Sequence, residues 1–311
     1  MNGILIVNKP KGMTSHDVIQ RIRRLTGSRR VGHAGTLDPL ATGVLVICLG
    51  KATRLAQFLQ SDSKEYVAEM TLGIETDTQD GTGRVLSRKP CSVEEREIIN
   101  ALKDFKGPTW QIPPMTSAIK HKGKPLYKLA RKGIEVERRP RLVDIYKLEL
   151  LEVKADDYPR ASIRVGCSKG TYIRTLCADV GKALGCGAHM SNLTRTRAGK
   201  FEIREAFGLE ELSKITEERS LNKILIPMNK ALSYPVIVIK ESFVQKILNG
   251  APLREEMIEP KYTLDEGEIV QLWDTNGELL AVDKTTRPIE RGLGQKPGEI
   301  IARPLCVGGS G

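Results

Sequence analysis

The sequence lacks the patterns that anchor a chain in a membrane or direct it out of the cell. No apolar run approaches the ~18–20 residues of a transmembrane helix. The first residues, MNGILIVNKPKG, carry no basic flank ahead of a long apolar segment, so they differ from a secretory leader. We therefore expect a cytoplasmic protein that has no membrane partner.

Cysteine and histidine are few, and neither is spaced as a set of metal ligands. The six cysteines contain no CxxC pair, and the four histidines show no HxxxH or HxxxxH spacing. Cys48, Cys167 and Cys177 lie inside apolar runs, where a reduced cysteine behaves as a small hydrophobic residue. The sequence thus predicts neither disulfides nor a metal site.

The length and composition are typical of a folded protein with two domains. The chain has 311 residues, which exceeds the ~250–300 at which a single core usually stops growing. Its 40% of hydrophobic and 28% of charged residues argue against disorder. The composition changes near residue 234, so we divide the chain into residues 1–233 and 234–311. The second part has short apolar runs joined by Gly, Pro and Asn turns, which predicts a small β-barrel.

Positive charge is concentrated in the first of these parts. The net charge is +11, yet residues 234–311 hold nine Lys and Arg against twelve Asp and Glu, so residues 1–233 carry +14. Residues 1–54 and 118–141 each have nine basic residues against two acidic ones. A solvated lysine-rich surface would also be basic. The clustering favours the alternative, a polyanionic partner for the first part.

Hydrophobic periodicity predicts strands and helices in residues 1–233. The predicted strands cover residues 4–7, 44–49, 64–73, 143–153 and 161–167. The predicted helices cover residues 15–26, 51–60 and 172–184, and a further helix opens with a capping box of Ser92 and Glu95. Residues 76–83 and 189–197 are polar and are predicted as loops.

One stretch, RRVGHAGTLDPLATGVLVICLG at residues 29–50, places a lone aspartate in a distinctive setting. Gly32 and Gly35 allow close backbone approach, and Pro39 favours extended geometry at Asp38. The apolar run Val44–Leu49 then predicts a strand that is buried on both faces. A carboxylate at the mouth of such a strand suits catalysis. Asp-Pro loops are common, however, and the residues alone favour an aspartate that caps the turn.

Other candidate residues lie far from Asp38 in the chain. Tyr66 starts a predicted strand, where a tyrosine usually packs, and Tyr172 and Arg174 occupy the first turn of a predicted helix, where anions are favoured. Residues 113–141 form a basic segment that we predict to be a mobile arm gripping phosphates. A solvated loop without a partner is the competing interpretation. The candidate phosphate contacts of the arm are Lys120, Lys122, Lys124, Lys128 and Arg131.

Five segments together carry a resemblance to a known family. They read NKPKGMTS, GHAGTLDPLATGVL, KEYVAEMTLG, CSKGTYIRTLCADVG and LTRTRAGKF. Their order and spacing over residues 1–230 resemble the TruB family of bacterial tRNA pseudouridine-55 synthases, and residues 234–311 resemble the PUA domain appended to it. The resemblance implies an α+β fold, with a mixed, mainly antiparallel central sheet flanked by helices and a small C-terminal β-barrel.

The resemblance also implies a reaction. Members of the family isomerise uridine to pseudouridine in the T-loop of tRNA. An aspartate attacks the flipped-out nucleotide, the C–N glycosidic bond breaks, and the uracil turns and rejoins the ribose through C5. No redox change or phosphoryl transfer occurs, so no cofactor is implied. Attack at C6 of the base, attack at C1′ of the ribose and a glycal route with loss of a C2′ proton all remain open.

The resemblance assigns roles to the candidate residues. Asp38 matches the nucleophile, Tyr66 the tyrosine that stacks on the base and accepts a proton, and Arg174 the arginine that keeps the aspartate ionised. The matched substrate contacts are Tyr172 and Leu193 in the uracil pocket, His33 in the space left by the flipped uridine, and Lys9 as a supporting residue.

The implied partner is the T-stem-loop of tRNA, with the acceptor end reached through the C-terminal domain. Because that domain carries −3, we expect a local or weak contact there. We expect a monomer, since one basic face can hold a single RNA. Two other classes remain: a non-catalytic RNA-binding or tRNA-folding protein, and a glycoside hydrolase or nucleosidase. The second class would need another catalytic carboxylate, which is not evident near these motifs.

Overall fold

A computed structural model of the chain describes residues 1–60, 63–259, 261–289 and 298–307. No helix in these ranges is long and apolar enough to span a membrane. The strands of the first 233 residues are β1 (Gly3–Lys9), β2 (Val31–His33), β3 (Thr42–Leu49), β4 (Lys64–Leu72), β5 (Ile74–Thr76), β6 (Val85–Arg88), β7 (Gly107–Gln111), β8 (Lys120–His121), β9 (Lys124–Pro125), β10 (Arg141–Lys154), β11 (Arg160–Cys167), β12 (Ala188–Ala198) and β13 (Phe201–Glu202). The helices are α1 (Ser15–Thr26), α2 (Ala56–Gln60), α3 (Glu95–Lys103), α4 (Leu126–Ala130), α5 (Ile173–Ala183), α6 (Leu209–Glu217) and α7 (Leu221–Ile224).

Nine of the described strands form the central sheet. Its order is β1-β3-β12-β4-β11-β10-β7, with β2 added to β3 and β13 added to β12. The β3–β12 pair is parallel, and the other pairs are antiparallel. Buried residues of α1, α3 and α5 pack on one face of the sheet. The prediction of a mixed, mainly antiparallel sheet flanked by helices is therefore confirmed.

Strand β3 is apolar at every position from Val44 to Leu49, because both of its faces are buried. Leu45, Ile47 and Leu49 belong to the core cluster beneath α1, α3 and α5. Alternate residues of the same strand, among them Val44 and Val46, belong to a second cluster on the opposite face. Because successive side chains point to opposite faces, a strand buried on both must be apolar throughout.

Two helix predictions need correction. Residues 51–60 do not form one α-helix: a 3₁₀ turn covers Gly50–Leu55 and α2 follows. The predicted capping box of Ser92 and Glu95 is also wrong, because α3 begins at Glu95 and the Glu94 amide donates to the Glu97 carboxylate at 2.7 Å. Both corrections move a boundary by a few residues, the least reliable feature of a helix pattern.

The predicted polar loop over residues 189–197 is instead strand β12, between β3 and β4 in the sheet. Register irregularities at 190–192 and 195–197 interrupt its alternation. The buried positions therefore do not recur at every second residue, and one of them is Arg195. Because the spacing of buried residues is irregular and one of them is charged, the sequence does not show the apolar alternation that is typical of a strand.

The last part of the chain builds a second sheet. Its elements are β14 (Val236–Val238), α8 (Val244–Leu248), β15 (Leu253–Arg254), β16 (Ile269–Trp273), β17 (Leu279–Thr285) and β18 (Ile300–Val307). The described strands follow the order β14-β16-β17-β18-β15 around a core of their own. Leu279 and Val282 also join the cluster that contains Ala52 and Leu55, so the second sheet packs against the first 233 residues.

Candidate active site

The loop that carries Asp38 connects β2 to β3, and Lys9 at the end of β1 holds it in place. The ammonium of this fully buried lysine donates to the carbonyl oxygens of Pro10, Met13 and Pro39 at 2.9, 2.6 and 3.3 Å. Desolvation on burial lowers the pKa of Lys9 to about 8. The hydrogen bond to the Pro39 carbonyl joins the lysine to the residue that follows Asp38. Lys9 therefore ties the N-terminal strand β1 to the loop.

A second buried cation, Arg195 on β12, holds the same loop from the other side. Its guanidinium donates to the carbonyl oxygens of Gly35, Thr36 and Val44 at 3.0, 3.5 and 2.6 Å. Its side chain is 1% exposed. Gly43 must be glycine here, because a Cβ would lie 2.3 Å from the Arg195 carbonyl oxygen. The loop is therefore clamped to β12, and Asp38 is positioned by rigid elements.

Arg174, in the first turn of α5, lies between two carboxylates. Its Nη2 is 3.2 Å from Asp38 Oδ2, and its Nη1 is 3.6 Å from Asp80 Oδ2. The Thr116 hydroxyl and carbonyl oxygen accept further hydrogen bonds from the guanidinium, at 2.7 and 3.3 Å. Because the arginine is buried, these partners fix its planar group in one orientation.

The electrostatics of Asp38 reflect this arrangement. Burial raises the pKa of the Asp38 carboxyl above its ordinary value, the Arg174 guanidinium opposes that rise, and the Asp80 carboxylate adds to it. The Asp38 side chain is 35% exposed, whereas that of Arg174 is 5% exposed. Asp38 is thus the member of the ion pair that a ligand can reach.

Asp38 opens into a cavity of about 680 Å³. Tyr66, Tyr172 and Leu193 line this cavity together with Asp38 and Arg174. The lining further includes Gly35, Lys64, Ser117, Arg141, Leu142, Lys169 and Arg195. The fold therefore brings five of the predicted site residues from four separate segments to one cavity, which is large enough for a nucleotide-sized group.

The two tyrosines are held differently. Burial raises the pKa of Tyr66, and the neighbouring Arg195 guanidinium, which the phenol contacts, lowers it. Burial also raises the pKa of Tyr172, whose ring lies 5.9 Å from the Arg174 guanidinium carbon. The Tyr172 backbone exchanges hydrogen bonds with the Gln111 side chain at 3.0 and 3.3 Å. Because Tyr172 is the N-cap of α5, these hydrogen bonds tie the start of that helix to β7.

Two predicted substrate contacts lie outside the cavity lining. Lys9 contacts the loop from β1, and His33 is half-buried on β2, with its Nδ1 buried and without a hydrogen-bond partner among the described residues. Burial lowers the pKa of His33, and the Arg195 charge lowers it further. The predicted phosphate contacts are exposed on a hairpin, on α4 and just beyond it; they are Lys120, Lys122, Lys124, Lys128 and Arg131.

Sequence reasoning missed Asp80 and Arg195. Asp80 lies in the segment predicted as a surface loop, yet it is buried, and its Oδ1 accepts from the Thr78 hydroxyl and from the Thr82 amide and hydroxyl. A second carboxylate thus does lie near Arg174, although it does not line the cavity. The TDTQDGT sequence signals a turn, and only the tertiary contact with Arg174 distinguishes Asp80 from a solvated turn residue.

Comparisons with known proteins agree with this architecture. Residues 23–173 match the N-terminal domain of the TruB family of pseudouridylate synthases, and residues 174–233 match the tRNA pseudouridylate synthase B C-terminal domain. A protein of Pelotomaculum thermopropionicum named tRNA pseudouridine synthase B is 45% identical over 99% of this chain and 97% of its own length. One of the same name from Moorella thermoacetica is 44% identical over 96% of this chain and 99% of its own.

Solved structures extend the match to the fold. A chain in the crystal structure of a Cbf5-Nop10-Gar1 complex is 33% identical, with a TM-score of 0.77 over 98% of this chain and 84% of its own length. A chain of an H/ACA RNP bound to a substrate RNA containing 2′-deoxyuridine is 30% identical, with a TM-score of 0.76 and the same coverage. The fold is therefore that of a pseudouridine synthase. The chain belongs to the TruB family, and it is an isomerase that makes pseudouridine.

Proposed function

We propose that this chain converts uridine 55 in the T-loop of tRNA to pseudouridine, with Asp38 as the nucleophile. The ion pair of Asp38 with buried Arg174, at the wall of a nucleotide-sized cavity, carries the proposal. A turn-capping aspartate needs no buried arginine. The guanidinium opposes the rise in the Asp38 pKa that desolvation causes, and so favours the ionised form that a nucleophile requires.

The cavity provides the remaining roles. Tyr66 stacks on the target base and accepts a proton during the isomerisation, next to the Arg195 charge. Tyr172 and Leu193 bound the uracil and leave it room to turn before it rejoins the ribose through C5. His33 occupies the space that the flipped uridine leaves in the RNA, and Lys9 supports the Asp38 loop.

The partner is tRNA, held through its T-stem-loop. The names of the relatives refer to tRNA. Exposed lysines and arginines of residues 113–141 are available to bind its phosphates. Residues 1–233 act as the catalytic domain, and residues 234–311 act as a PUA-like domain that contacts the acceptor end. We expect the protein to act as a monomer in the cytoplasm.

Release of tritium from C5-labelled uridine in an unmodified T-arm transcript tests the proposal. Asp38→Asn should abolish the release, while the Kd for the transcript stays within about threefold, because the substitution removes the attacking charge and little shape. Asp104→Asn alters an exposed carboxylate just after α3 and serves as the matched control.

Each failure has a distinct meaning. Turnover by Asp38→Asn close to that of the wild type would remove Asp38 from the nucleophile role. Absence of release by the wild type, with the transcript bound, would instead favour a non-catalytic RNA-folding protein. Release of free uracil would indicate hydrolysis of the glycosidic bond.

A further inference from the structure

The edge of the central sheet carries an exposed apolar strip beside the active-site cavity. Trp110 on β7 is 67% exposed, the highest value among the large apolar side chains that the structure describes as exposed. Leu142 on β10 is its direct partner across the strands and is also exposed, as is Ile112. Exposed aromatic residues of this size commonly mark binding surfaces.

The orientation of Trp110 follows from its neighbour. Gln111 is buried and holds the backbone of Tyr172, so it points inward towards α5. Successive side chains of a strand point to opposite faces, and the indole of Trp110 therefore lies on the outer face together with Leu142. Leu142 in turn lines the cavity that holds Asp38. Directly paired residues lie about 4.5–5.5 Å apart at Cα, so the strip starts where the cavity lining ends.

Charge around the strip is arranged for an RNA chain at the cavity end. Arg141 and Lys169 line the cavity, as Leu142 does, and the basic segment 113–141 begins just after Ile112. At the other end, Asp144 is exposed opposite Pro108 and disfavours phosphates. This change from basic to acidic residues along the strip suits the phosphates of a nucleotide next to the flipped one. A flexible apolar protein partner would not require it.

We infer that Trp110 is a stacking platform for an unpaired base of the substrate RNA, one that lies near the flipped nucleotide. The inference rests on the proposed function and extends it to a specificity-determining subsite outside the catalytic cavity. Every base has a π-face, so the indole secures an unpaired nucleotide by stacking, while Arg141 and Lys169 hold the backbone that connects it to the target.

Kinetics on the T-arm transcript test the subsite. Trp110→Ala should raise Kd and KM about tenfold and change kcat less than about twofold, because stacking contributes to binding rather than to the chemical step. Trp110→Phe keeps a ring and should restore most of the affinity. Leu151→Ala is the matched control, since it removes an exposed apolar side chain from β10 about 30 Å farther along the strand.

Two further measurements locate the base. Trp273 is the other tryptophan, so Trp273→Phe makes the fluorescence a report on Trp110 alone, and saturating transcript should quench it. Transcripts with single abasic sites around the target should include one on which the wild type and Trp110→Ala bind equally.

Unchanged fluorescence, or a Trp110→Ala penalty that no abasic site removes, would overturn the inference. A change in sedimentation without a change in RNA affinity would assign the strip to self-association instead. Inactivity of the wild type on the transcript would refute the proposed function, and fluorescence would still report on binding.

Discussion

At the scale of single residues, the site depends on one arginine shared by two carboxylates that differ in access. Asp38 is partly exposed at the cavity, whereas Asp80 is buried and has its other oxygen fully occupied by Thr78 and Thr82. Asp80 therefore cannot serve as a second catalytic carboxylate on the substrate. Its position suits it to hold Arg174 so that the guanidinium faces Asp38.

Asp80→Asn tests this positioning role. Without the second carboxylate Arg174 is less fixed, so kcat should fall by up to about 100-fold while the Kd for RNA changes little. Asp80 raises the pKa of Asp38, so its neutralisation should also lower that pKa. In the proposed function Asp38 acts as the ionised form, so the acid limb of the pH–rate profile should shift to lower pH.

Single-turnover kinetics across pH measure both effects. Asp77→Asn is the control, because Asp77 belongs to the same loop but is exposed, and its Oδ1 acceptor for the Arg84 amide is preserved in asparagine. An unchanged kcat and acid limb in Asp80→Asn would show that Arg174 is held adequately by Thr116 alone.

At the scale of elements, apolar periodicity predicted most of the sheet, and the failures fall where polar groups are buried. Strands β3, β4 and β11 follow simple patterns and were predicted, as was helix α1, which in the structure is capped by Thr14 and ends at the left-handed Gly27. Strand β12 was not, because its buried set includes Arg195, whose hydrogen bonds go to the Asp38 loop. Such partners are distant in sequence, so local pattern cannot reveal them.

Strand β17 contains a buried carboxylate, which predicts that the stability of the protein depends on pH. Asp283 is fully buried, and both carboxylate oxygens lack a hydrogen-bond partner within the described part of the chain. Desolvation raises its pKa to about 7. Because the folded-state pKa lies above the unfolded one, this group's contribution to stability is fully present below pH ~4 and is lost as the pH rises through about 7.

Asp283→Asn should therefore become more stable relative to the wild type as the pH rises. The difference in the free energy of unfolding should grow by about 2–3 kcal/mol between pH 5 and pH 8. Urea unfolding monitored by Trp273, on the neighbouring strand β16, measures it, with Trp110→Phe as the background. A difference independent of pH would mean that Asp283 is ionised, and so stabilised, in the folded state.

At the scale of the whole molecule, charge and packing give the two sheets different tasks. The first 233 residues carry +14 and the cavity, whereas residues 234–311 carry −3. The second sheet nevertheless covers apolar residues of the first part: Leu279 and Val282 join the cluster of Ala52 and Leu55, and the Arg54 guanidinium donates to the Val307 carbonyl at 2.6 Å. The second sheet therefore contributes to stability, in addition to the RNA contact that we propose for it.

Deletion of residues 236–311 separates these contributions. We expect the Kd for full-length tRNA to rise by at least about tenfold, and that for a T-arm hairpin to rise much less, because the hairpin has no acceptor end to lose. The deletion also uncovers the cluster around Leu55, so a lower thermal midpoint should accompany it. Hairpin turnover at low temperature shows that the catalytic part is still folded. Equal losses of affinity for tRNA and hairpin would mean that the second sheet supports the catalytic part and does not contact the acceptor end.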